Sequence, residues 1–543
     1  MGEAIIHYRM YISTHHRTVF LIYDKLFDFM DKAYKFLLAL LTFLKKSMFM
    51  KKTLILCLLL ALRANLLPAI VDTPLANFSA AQRAWLLNQR QESFELYLKE
   101  SETSAQKQIP LTNAATIRFI ESDLSSSDKF VNRALQIDPN YGPALLLKGQ
   151  IEFQRGNIRA GTIYLRAAAK NHPHPEIPLF YLCYHLAKRN QLKEPLEVLK
   201  DAVSENKQFT PPYPLIGEIL IKQGKIKDAV EVLTNALKIS YDAEILLTLA
   251  RATEKAGNLT EAKKYFGLFS YLFPKHPENI NVLNWLKNNG VTKPYSHQFK
   301  PIPTRNTSDR FLPIGENFVY CVDWGPIRVG ELKTVVAETL RFQNHDAYKV
   351  IFSLDSNPAL EFIASLHSDY ITIIDQSTKQ VLQHFLHIRE NNIVSDKVYD
   401  FETKTGKFIC RSIEEDGHIQ ILEKYLPENT IDGTSILFYS RQVVKEKRKE
   451  RVMTIIDENF VITDINYENR KEPVAVRNKT ENALVISGEN YYKGIVGLTG
   501  KFRGWFRDDR TFLPVRSDFE IWVGRIAISM ADEEEQRQHK YAR

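Results

Sequence analysis

Two pairs of polar residues in the second half of the chain are spaced in ways that could support chemistry. The motif HFLH places His384 and His387 three residues apart, and Asp508 and Asp509 are adjacent. Paired histidines can bind a metal ion, and paired carboxylates can act as general acid and base. On a strand, however, residues three apart face opposite sides of a sheet. The aspartates precede RTFLPV in a turn-like context, where Asp binds its own backbone. Both pairs are therefore expected to be structural.

Common catalytic and metal-binding motifs are absent from the sequence. It has no HExxH, no Gly-x-Ser-x-Gly, no P-loop, no dinucleotide-binding glycine set and no CxxC pair. The aromatic residues of the second half are expected to fill a core or, alternatively, to line a site for an apolar ligand. These residues are Trp324, Tyr439, Trp505, Phe506 and Trp522. We expect no cofactor, no metal and no enzymatic activity, with an enzyme of unrecognised site as the remaining alternative.

Length and charge place the chain among multidomain globular proteins. Its 543 residues suffice for two or three domains with their own cores, and the formal net charge is +8. The densest basic run, KEKRKER (Lys445–Arg451), also contains two Glu residues. We expect a solvated loop or strand edge there, with nucleic-acid or lipid-headgroup binding as the alternative.

The N-terminal region contains a pattern typical of export. Residues 50–69, MKKTLILCLLLALRANLLPA, have two Lys, then an apolar stretch, then a Pro and a small residue. This is the order of a Sec-type secretory signal peptide, and it predicts a periplasmic location in a bacterial cell envelope. Residues 1–49 are then a doubtful extension, with the true start at Met48 or Met50.

A membrane anchor is the alternative interpretation of the same region. In it, residues 20–62 form a helical hairpin that holds the protein at the membrane. The run FLLALLTFLKK is too short to span a bilayer, which argues against this interpretation. Cys57 is not preceded by the small residue that a bacterial lipoprotein signal needs, so we do not expect lipidation.

The other cysteines do not form a disulfide scaffold. Cys183, Cys321 and Cys410 are an odd number and lie far apart in the sequence. A bridge between Cys321 and Cys410 is one interpretation for an oxidising compartment. Buried free thiols are the other, and we favour it.

Small residues recur in the first half at a fixed interval. The interval is 34 residues in two independent columns: Ala134, Ala168, Ala202 and Ala236; and Gly149, Cys183 and Gly217. Pro139 and Pro173 are also 34 residues apart, and Pro274 ends the last repeat. A period of 34 predicts a stacked array of helix-turn-helix units.

The period and the small-residue columns resemble the tetratricopeptide (TPR) family. The resemblance implies an all-α superhelix over residues 75–290 whose small residues let the two helices of each unit approach closely. The units are expected at 108–141, 142–175, 176–209, 210–243 and 243–276. A helix over 78–100 is expected before them, and 277–290 is expected to be a closing helix that ends at Gly290. Pro195 is expected in the first turn of its helix, where no backbone donor is lost.

The TPR resemblance also implies a concave face that binds a protein or peptide partner. Its ninth and thirteenth positions carry Gln150, Gln154, Tyr184, Lys188, Glu218, Lys222, Arg251 and Lys255. Three lysines in one column predict an acidic peptide or a terminal carboxylate as the ligand. The alternative is that these lysines only interact favourably with the dipole at the helix C-terminus.

The texture of the sequence changes near residue 300. Residues 291–312 are rich in Pro and have almost no apolar periodicity, which predicts a linker. Short runs rich in Val, Ile, Tyr and Phe follow, at a spacing near ten residues, and predict an antiparallel sheet or a barrel-like domain. GENFVYCVDWGPIRVGE, residues 315–331, is expected to be its first hairpin, turning at Gly325-Pro326. DGTSILFYSRQ predicts one short helix, capped by Asp432 or Thr434, that closes one end of the sheet.

Residues 313–530 resemble the exported bacterial family DUF3108. The resemblance rests on the opening hairpin, on VYDFETKTGKF, on DGTSILFYSRQ and on the closing GKFRGWFRDDRTFLPVRSDFEIWVGRIAI. Residues 531–543 are then a charged tail. The family has no established activity, so the resemblance implies no functional residues.

Together these features predict an exported, non-catalytic envelope protein. The array would bind a partner protein, and the β domain would be a docking module or would hold an apolar ligand such as a lipid. The alternative is a carrier or chaperone for lipids or envelope polymers. A cavity of a few hundred Å³ lined by Trp and Phe would favour that carrier, and a filled core would favour docking.

Overall fold

The computed structural model describes most of the chain beyond the predicted signal peptide. The described residues are 78–291, 312–360, 365–391, 393–490, 500–521 and 524–536. The predicted extension, the signal peptide and most of the predicted linker lie outside them. Within these ranges, no helix has both the length and the apolar character needed to cross a membrane.

Residues 78–291 form a series of antiparallel helix pairs followed by a single helix. The helices are α1 (Ala80–Leu86), α2 (Arg90–Thr103), α3 (Gln108–Ile120), α4 (Leu124–Ile137), α5 (Gly142–Gln154), α6 (Ile158–Asn171), α7 (Glu176–Lys188), α8 (Lys193–Glu205), α9 (Pro212–Lys222), α10 (Ile226–Leu237), α11 (Ala243–Lys255), α12 (Leu259–Leu272) and α13 (Asn279–Asn288). The predicted all-α repeat region is confirmed.

The end of each first helix is marked by one residue in the left-handed conformation. These residues recur at intervals of 33 or 34 positions: Asn88, Ser122, Gly156, Asn190, Gly224, Gly257 and Gly290. Their φ angles lie between 60° and 82°, which ends a helix and reverses the chain. The interval extends the array by one unit, because Asn88 divides the single helix predicted over 78–100 into α1 and α2.

Small residues sit where the two helices of a unit touch. A Cβ atom added to Gly149 on α5 would lie only 2.7 Å from the side chain of Leu165 on α6. The alanines Ala134, Ala168 and Ala236 are completely buried at the equivalent contacts. Pro195 lies in the first turn of α8, as the sequence predicts.

Residues 312–536 form fifteen strands and one α-helix in their described part. The strands are β1 (Asn317–Trp324), β2 (Ile327–Phe342), β3 (His345–Ser356), β4 (Leu366–Asp375), β5 (Val381–Glu390), β6 (Ile393–Glu402), β7 (Lys407–Ile413), β8 (Ile419–Tyr425), β9 (Ile431–Asp432), β10 (Arg448–Ile456), β11 (Asn459–Val476), β12 (Lys479–Asn490), β13 (Gly500–Phe506), β14 (Pro514–Ile521) and β15 (Gly524–Met530). The helix is α14 (Ile436–Val443).

The strands form one continuous sheet in the order β8-β7-β6-β5-β4-β3-β2-β1-β15-β14-β13-β12-β11-β10-β9. Neighbours are antiparallel except β9 and β10, which are parallel. The predicted first hairpin is confirmed, with Trp324 opposite Ile327 across the turn at Gly325. Strands β8 and β9 stand at opposite ends of this order and do not pair with each other. The sheet is therefore open, and the barrel-like alternative is wrong.

Helix α14 packs against strands that are far apart in the sheet. Phe438 contacts Phe352 of β3, with ring centroids 5.6 Å apart, and Ser440 hydrogen-bonds Tyr467 of β11 over 3.1 Å. Since β3 and β11 are seven places apart in the strand order, the sheet must curl around the helix. The helix thus fills the interior of the curl rather than closing one end. Asp432 shapes the preceding turn by accepting the backbone N–H of Thr434.

The helical array and the sheet share their hydrophobic core. One cluster of buried side chains includes Leu246 and Phe269 of the array together with Phe408 and Phe460 of the sheet. A second cluster joins Trp85 and its neighbours near the N-terminal end of the array to β7 and β8. The two regions therefore pack directly on each other and bury apolar surface in common.

Candidate functional site

The residues predicted to bind a partner lie in pairs on the first helices of four units. The pairs are Gln150 and Gln154 on α5, Tyr184 and Lys188 on α7, Glu218 and Lys222 on α9, and Arg251 and Lys255 on α11. All are exposed except Gln150 and Glu218, which are half-buried. We call these eight residues the repeat face.

The lysines of the repeat face have no carboxylate partner among the described residues. Lys188, Lys222 and Lys255 are each the last residue of a helix and are exposed. The Nζ atom of Lys188 lies 5.2 Å from the centroid of the Tyr184 ring, a cation–π contact. The position at the helix C-terminus accounts for a favourable dipole interaction, and the missing ion pairs leave these charges available to a ligand.

An aromatic cluster adjoins this lysine column on α7. The Phe180 ring packs near the rings of Tyr184 and Phe209, with centroid distances of 6.4 Å and 6.3 Å. Tyr184 is 39 % exposed, so the cluster offers an aromatic surface beside a cation. Arg251, in contrast, already pairs with Glu278 over 2.8 Å.

A different side of the array contacts the sheet. The loops that join one unit to the next each place a polar or aromatic residue against the β7–β8 region or the β10–β11 turn. The pairs are Tyr141–Asp416 (3.0 Å), His174–Glu414 (3.9 Å), Thr210–Asn459 (3.1 Å), Asp242–Lys424 (3.2 Å) and His276–Tyr425 (ring centroids 4.0 Å). We call this interface the array–sheet seam. It uses the loops and leaves the repeat face uncovered.

A buried arginine anchors the N-terminal end of the seam. Arg411 of β7 is fully buried, lies 2.5 Å from a carboxylate oxygen of Asp400, and donates hydrogen bonds of 3.0 Å and 3.2 Å to the carbonyl oxygen of Leu86. That carbonyl belongs to the last turn of α1, where carbonyls lack helical partners. The indole Nε1 of Trp85 donates to the carbonyl oxygen of Ser412 over 3.1 Å. These bonds fix α1 on β7.

The free edge of β8 is covered by one side chain of the array. The amide of Asn113 on α3 donates to the carbonyl oxygen of Gly417 and accepts the N–H of Ile419, both over 3.0 Å. Asn113 therefore bonds the edge backbone as a neighbouring strand residue would. An uncovered edge would offer these groups to another chain.

The seam also contains a buried histidine with an unpartnered nitrogen. The Nδ1 atom of His172 accepts the backbone N–H of His174 over 3.0 Å, and its Nε2 atom has no hydrogen-bond partner. The ring of His418 lies 5.6 Å away, and Asp416 bonds both His418 and Tyr141. Burial, and secondarily the neighbouring histidines, lower the pKa of His172 from 6.5 to about 3.

The polar pairs considered for chemistry have structural roles. His384 and His387 of β5 are buried on opposite faces, against Tyr399 and Phe78 respectively. Asp509 accepts the backbone N–H of Thr511 over 2.7 Å, the turn contact that the sequence predicts. Across the described ranges, no group of His, Cys, Asp and Glu is arranged to hold a metal ion.

One buried cluster of Ser, His and Asp could be mistaken for catalytic residues. Asp432 lies near His384 (3.6 Å), and Ser435 donates to its other carboxylate oxygen. All three side chains are at least 95 % buried beneath α14, and burial lowers the pKa of His384. A substrate would have no access to them, so they serve to satisfy each other beneath the helix.

The interior of the curled sheet leaves little empty space beside α14. The cavity between the helix and strands β1–β3 measures about 20 Å³ and is lined by residues such as Tyr320, Phe352 and Phe438. This volume holds about one water molecule. It does not reach the few hundred Å³ that the lipid-carrier alternative requires. The three described cysteines, Cys183, Cys321 and Cys410, are free and buried, as favoured from the sequence.

The seam residues escaped prediction from the sequence. Each repeat offers a Tyr, His, Thr or Asp just before its first helix, as in Tyr141, Thr210 and Asp242. Their recurrence at nearly the repeat interval is a signal that a second interface was present. The partner residues on the sheet carry no comparable pattern.

Comparisons with known proteins agree with both halves of this description. Residues 319–531 match the profile of the family described as "Protein of unknown function (DUF3108)". No curated protein matches the chain. Among solved structures, the chain is similar to YrrB, "a TPR protein with an unusual peptide-binding site", at 18 % identity over 36 % of this chain and 99 % of that one, with a TM-score of 0.29.

Two further solved structures are also similar to this chain. PilW, a "widely conserved type IV pilus biogenesis factor", shares 18 % identity over 37 % of this chain and 94 % of its own, with a TM-score of 0.35. The Pseudomonas aeruginosa protein pilF shares 14 % identity over 38 % and 94 %, with a TM-score of 0.34. The predicted TPR and DUF3108 resemblances are thus confirmed.

Removing the buried arginine should weaken the whole protein. In Arg411→Ala, Asp400 remains buried without its cation and the Leu86 carbonyl loses its donor, so the free energy of unfolding should fall by about 3–5 kcal/mol. Urea denaturation followed by circular dichroism measures this change. The control is Arg166→Ala, which breaks an exposed pair with Glu194 and should cost below about 1 kcal/mol. Equal losses in the two variants would contradict the anchoring role of Arg411.

The buried His172 should make the protein sensitive to acid. Its pKa is lowered in the folded state, so below pH 6.5 the unfolded chain binds more protons, and stability falls as the pH drops toward 3. Each pH unit in that window costs about 1.4 kcal/mol. His172→Phe and His172→Gln should therefore reduce the stability difference between pH 6.5 and pH 5 by about 2 kcal/mol, measured by urea denaturation. If both variants keep the wild-type difference, another group carries the acid sensitivity.

Proposed function

We propose that this chain is an exported, non-catalytic envelope protein whose array binds a partner protein. The β domain serves as the module on which the array is mounted. Two observations support the proposal: residues 319–531 match DUF3108, and the helices before them form a TPR-like array. Helical arrays of this kind present extended surfaces to partners.

The division of the array into two working sides carries the proposal. The interrepeat loops are occupied by the sheet, through contacts such as Tyr141–Asp416 and Asp242–Lys424. The repeat face is not used by the sheet, and Lys188, Lys222 and Lys255 remain exposed there without carboxylate partners in the described ranges. A surface that keeps unpaired charge in a fully assembled chain is suited to an external ligand.

The chemistry of the repeat face favours an acidic peptide segment. Three lysines from successive units form a column that attracts carboxylates, and the Phe180–Tyr184 cluster beside Lys188 suits an apolar or aromatic side chain. A peptide carrying Asp or Glu with a neighbouring apolar residue would satisfy both features. The array is held by the sheet, so its units are positioned before the peptide arrives.

The proposal also includes export and the absence of catalysis. Residues 50–69 carry the order of charges, apolar residues and small residues that a signal peptidase substrate has. The Ser435–His384–Asp432 cluster is sealed beneath α14, which removes the strongest candidate for a catalytic set. The lipid-carrier alternative gains no support from the cavity of about 20 Å³ beside α14.

Charge reversal tests the repeat face. Lys188→Glu, Lys222→Glu and Lys255→Glu together should weaken binding of a fluorescent acidic peptide, selected from a random peptide library with the full mature chain, by about 10- to 100-fold. The matched control reverses Lys170, Lys200 and Lys227, which are exposed on the second helices α6, α8 and α10. Fluorescence anisotropy measures both. The repeat face is not the binding site if the two triple variants lose affinity equally, or if neither does.

Export is tested by the N-terminus of the expressed protein. Cell fractionation followed by N-terminal sequencing should find the mature chain in the periplasm, beginning close to Ala69. The control carries Leu59→Arg within the apolar stretch, which should block export and leave the leader attached. Recovery of wild-type protein from the cytosol with its leader intact would sink the export part of the proposal.

A further inference from the structure

A broad groove crosses the C-terminal strands of the sheet, away from the array–sheet seam. It has a volume of about 990 Å³ and runs over β10 to β15. Six strands span five interstrand spacings, so the groove is about 24 Å long across the strands. None of its lining residues takes part in the seam or in the repeat face.

Charged side chains of both signs alternate across the floor of the groove. The strand register aligns Arg451, Asp464, Glu489 and Lys501 across β10 to β13, and it places Glu520 opposite Arg525 on β14 and β15. In total the lining contains six cationic and five anionic side chains. The groove therefore has almost no net charge although it is densely charged.

Some of these side chains are fixed and others are free. Arg516 pairs with Asp518 over 2.7 Å, and Glu472, at the rim, accepts bonds from the Trp505 indole and from Arg503, both over 2.8 Å. These contacts hold the walls of the groove in place.

The centre of the groove has uncommitted polar groups. Glu489, Lys501 and Glu520 are neighbours on β12, β13 and β14, and none of them has a hydrogen bond or ion pair among the described residues. Glu489 is half-buried, whereas Lys501 and Glu520 are exposed. They offer carboxylate acceptors and an ammonium donor side by side.

The charge balance decides which kind of ligand fits. A polyanion such as a nucleic acid would meet nearly as many carboxylates as cations, so its binding would gain little electrostatic energy. An acyl chain or an apolar peptide would have to strip water from many charged groups without replacing their hydrogen bonds. A ligand rich in hydroxyl groups can donate to the carboxylates and accept from Lys and Arg along its whole length.

We propose that this groove binds a glycan chain without net charge. Sugar hydroxyls would bond Glu489, Lys501 and Glu520 at the centre, and the half-buried Phe502 would contact the apolar face of a sugar ring. Ion pairs such as Arg516–Asp518 orient the walls in advance, which lowers the entropy cost of binding. The site is independent of the repeat face and of the peptide proposed to bind there.

A glycan array tests the proposal with the full mature chain. The array carries uncharged, zwitterionic and polyanionic oligosaccharides, and affinities for retained sugars are then measured by titration calorimetry. The variant combines Glu489→Gln, Lys501→Gln and Glu520→Gln. The matched control makes the same three exchanges at Glu197, Lys200 and Glu231, which are exposed on α8 and α10. Circular dichroism melting checks that both variants fold.

The proposal expects retention of uncharged or zwitterionic sugars, with affinity at least about tenfold weaker in the groove variant and unchanged in the control. Binding should change less than about twofold between about 0.05 M and about 0.5 M salt, because hydrogen bonds rather than net charge hold the ligand. Retention of polyanions alone with steep loss in salt, retention of no glycan, or equal affinity in the groove variant would each overturn it. The Lys188, Lys222 and Lys255 variant should bind sugars normally, so the two proposals fail separately.

Discussion

The array–sheet seam is the constraint on which the rest of this structure depends. A long open sheet must do something with the unpaired backbone groups at its edges, and here β8 is covered by the helical array. Asn113 bonds the β8 backbone, and Arg411 reaches from β7 to the end of α1. Buried side chains of both regions then form common clusters. The helices protect the sheet edge, and the sheet covers apolar loops that the array alone would expose.

The seam also determines what the array can offer to other molecules. Each unit contributes a loop residue to the seam and a pair of residues to the repeat face, so the same 34-residue period positions two different surfaces. Solenoid arrays are held mainly by contacts between neighbouring units, and they bend accordingly. Contacts from Tyr141 to His276 tie successive units to one sheet. The repeat face is therefore presented by a braced scaffold, and a ligand need not order it.

The sheet itself separates an apolar interior from a polar exterior groove. Helix α14 fills the curl, with Phe438 against Phe352, and leaves a cavity of about 20 Å³. The groove over β10 to β15 is charged, open and far larger. A filled interior makes the curl rigid enough to support both the groove and the seam, because dense packing resists deformation. This arrangement explains how a domain without a cleft of catalytic residues can still present binding surfaces.

The sequence by itself determined the local periodicities and their direct structural consequences. The interval of 34 residues specified helix pairs, and the alternation of apolar residues after residue 312 specified strands, because each pattern reflects which side of an element is buried. The opening hairpin, the first-turn Pro195 and the exposed lysine column are set by local rules of this kind. Asn88 also ends a helix by a local rule, but one that many residue types satisfy, so the additional unit escaped notice.

Only the tertiary structure decided where the two halves meet and whether the sheet closes. The bond from Trp85 to Ser412 joins residues 327 positions apart, and its acceptor is a backbone carbonyl that any residue would supply. The pairing of β1 with β15 and the burial of His172 likewise depend on surfaces brought together late in the chain. Such contacts carry no spacing in the sequence, because their partners are fixed by the curl of the sheet and the stacking of the array, and not by neighbouring residues.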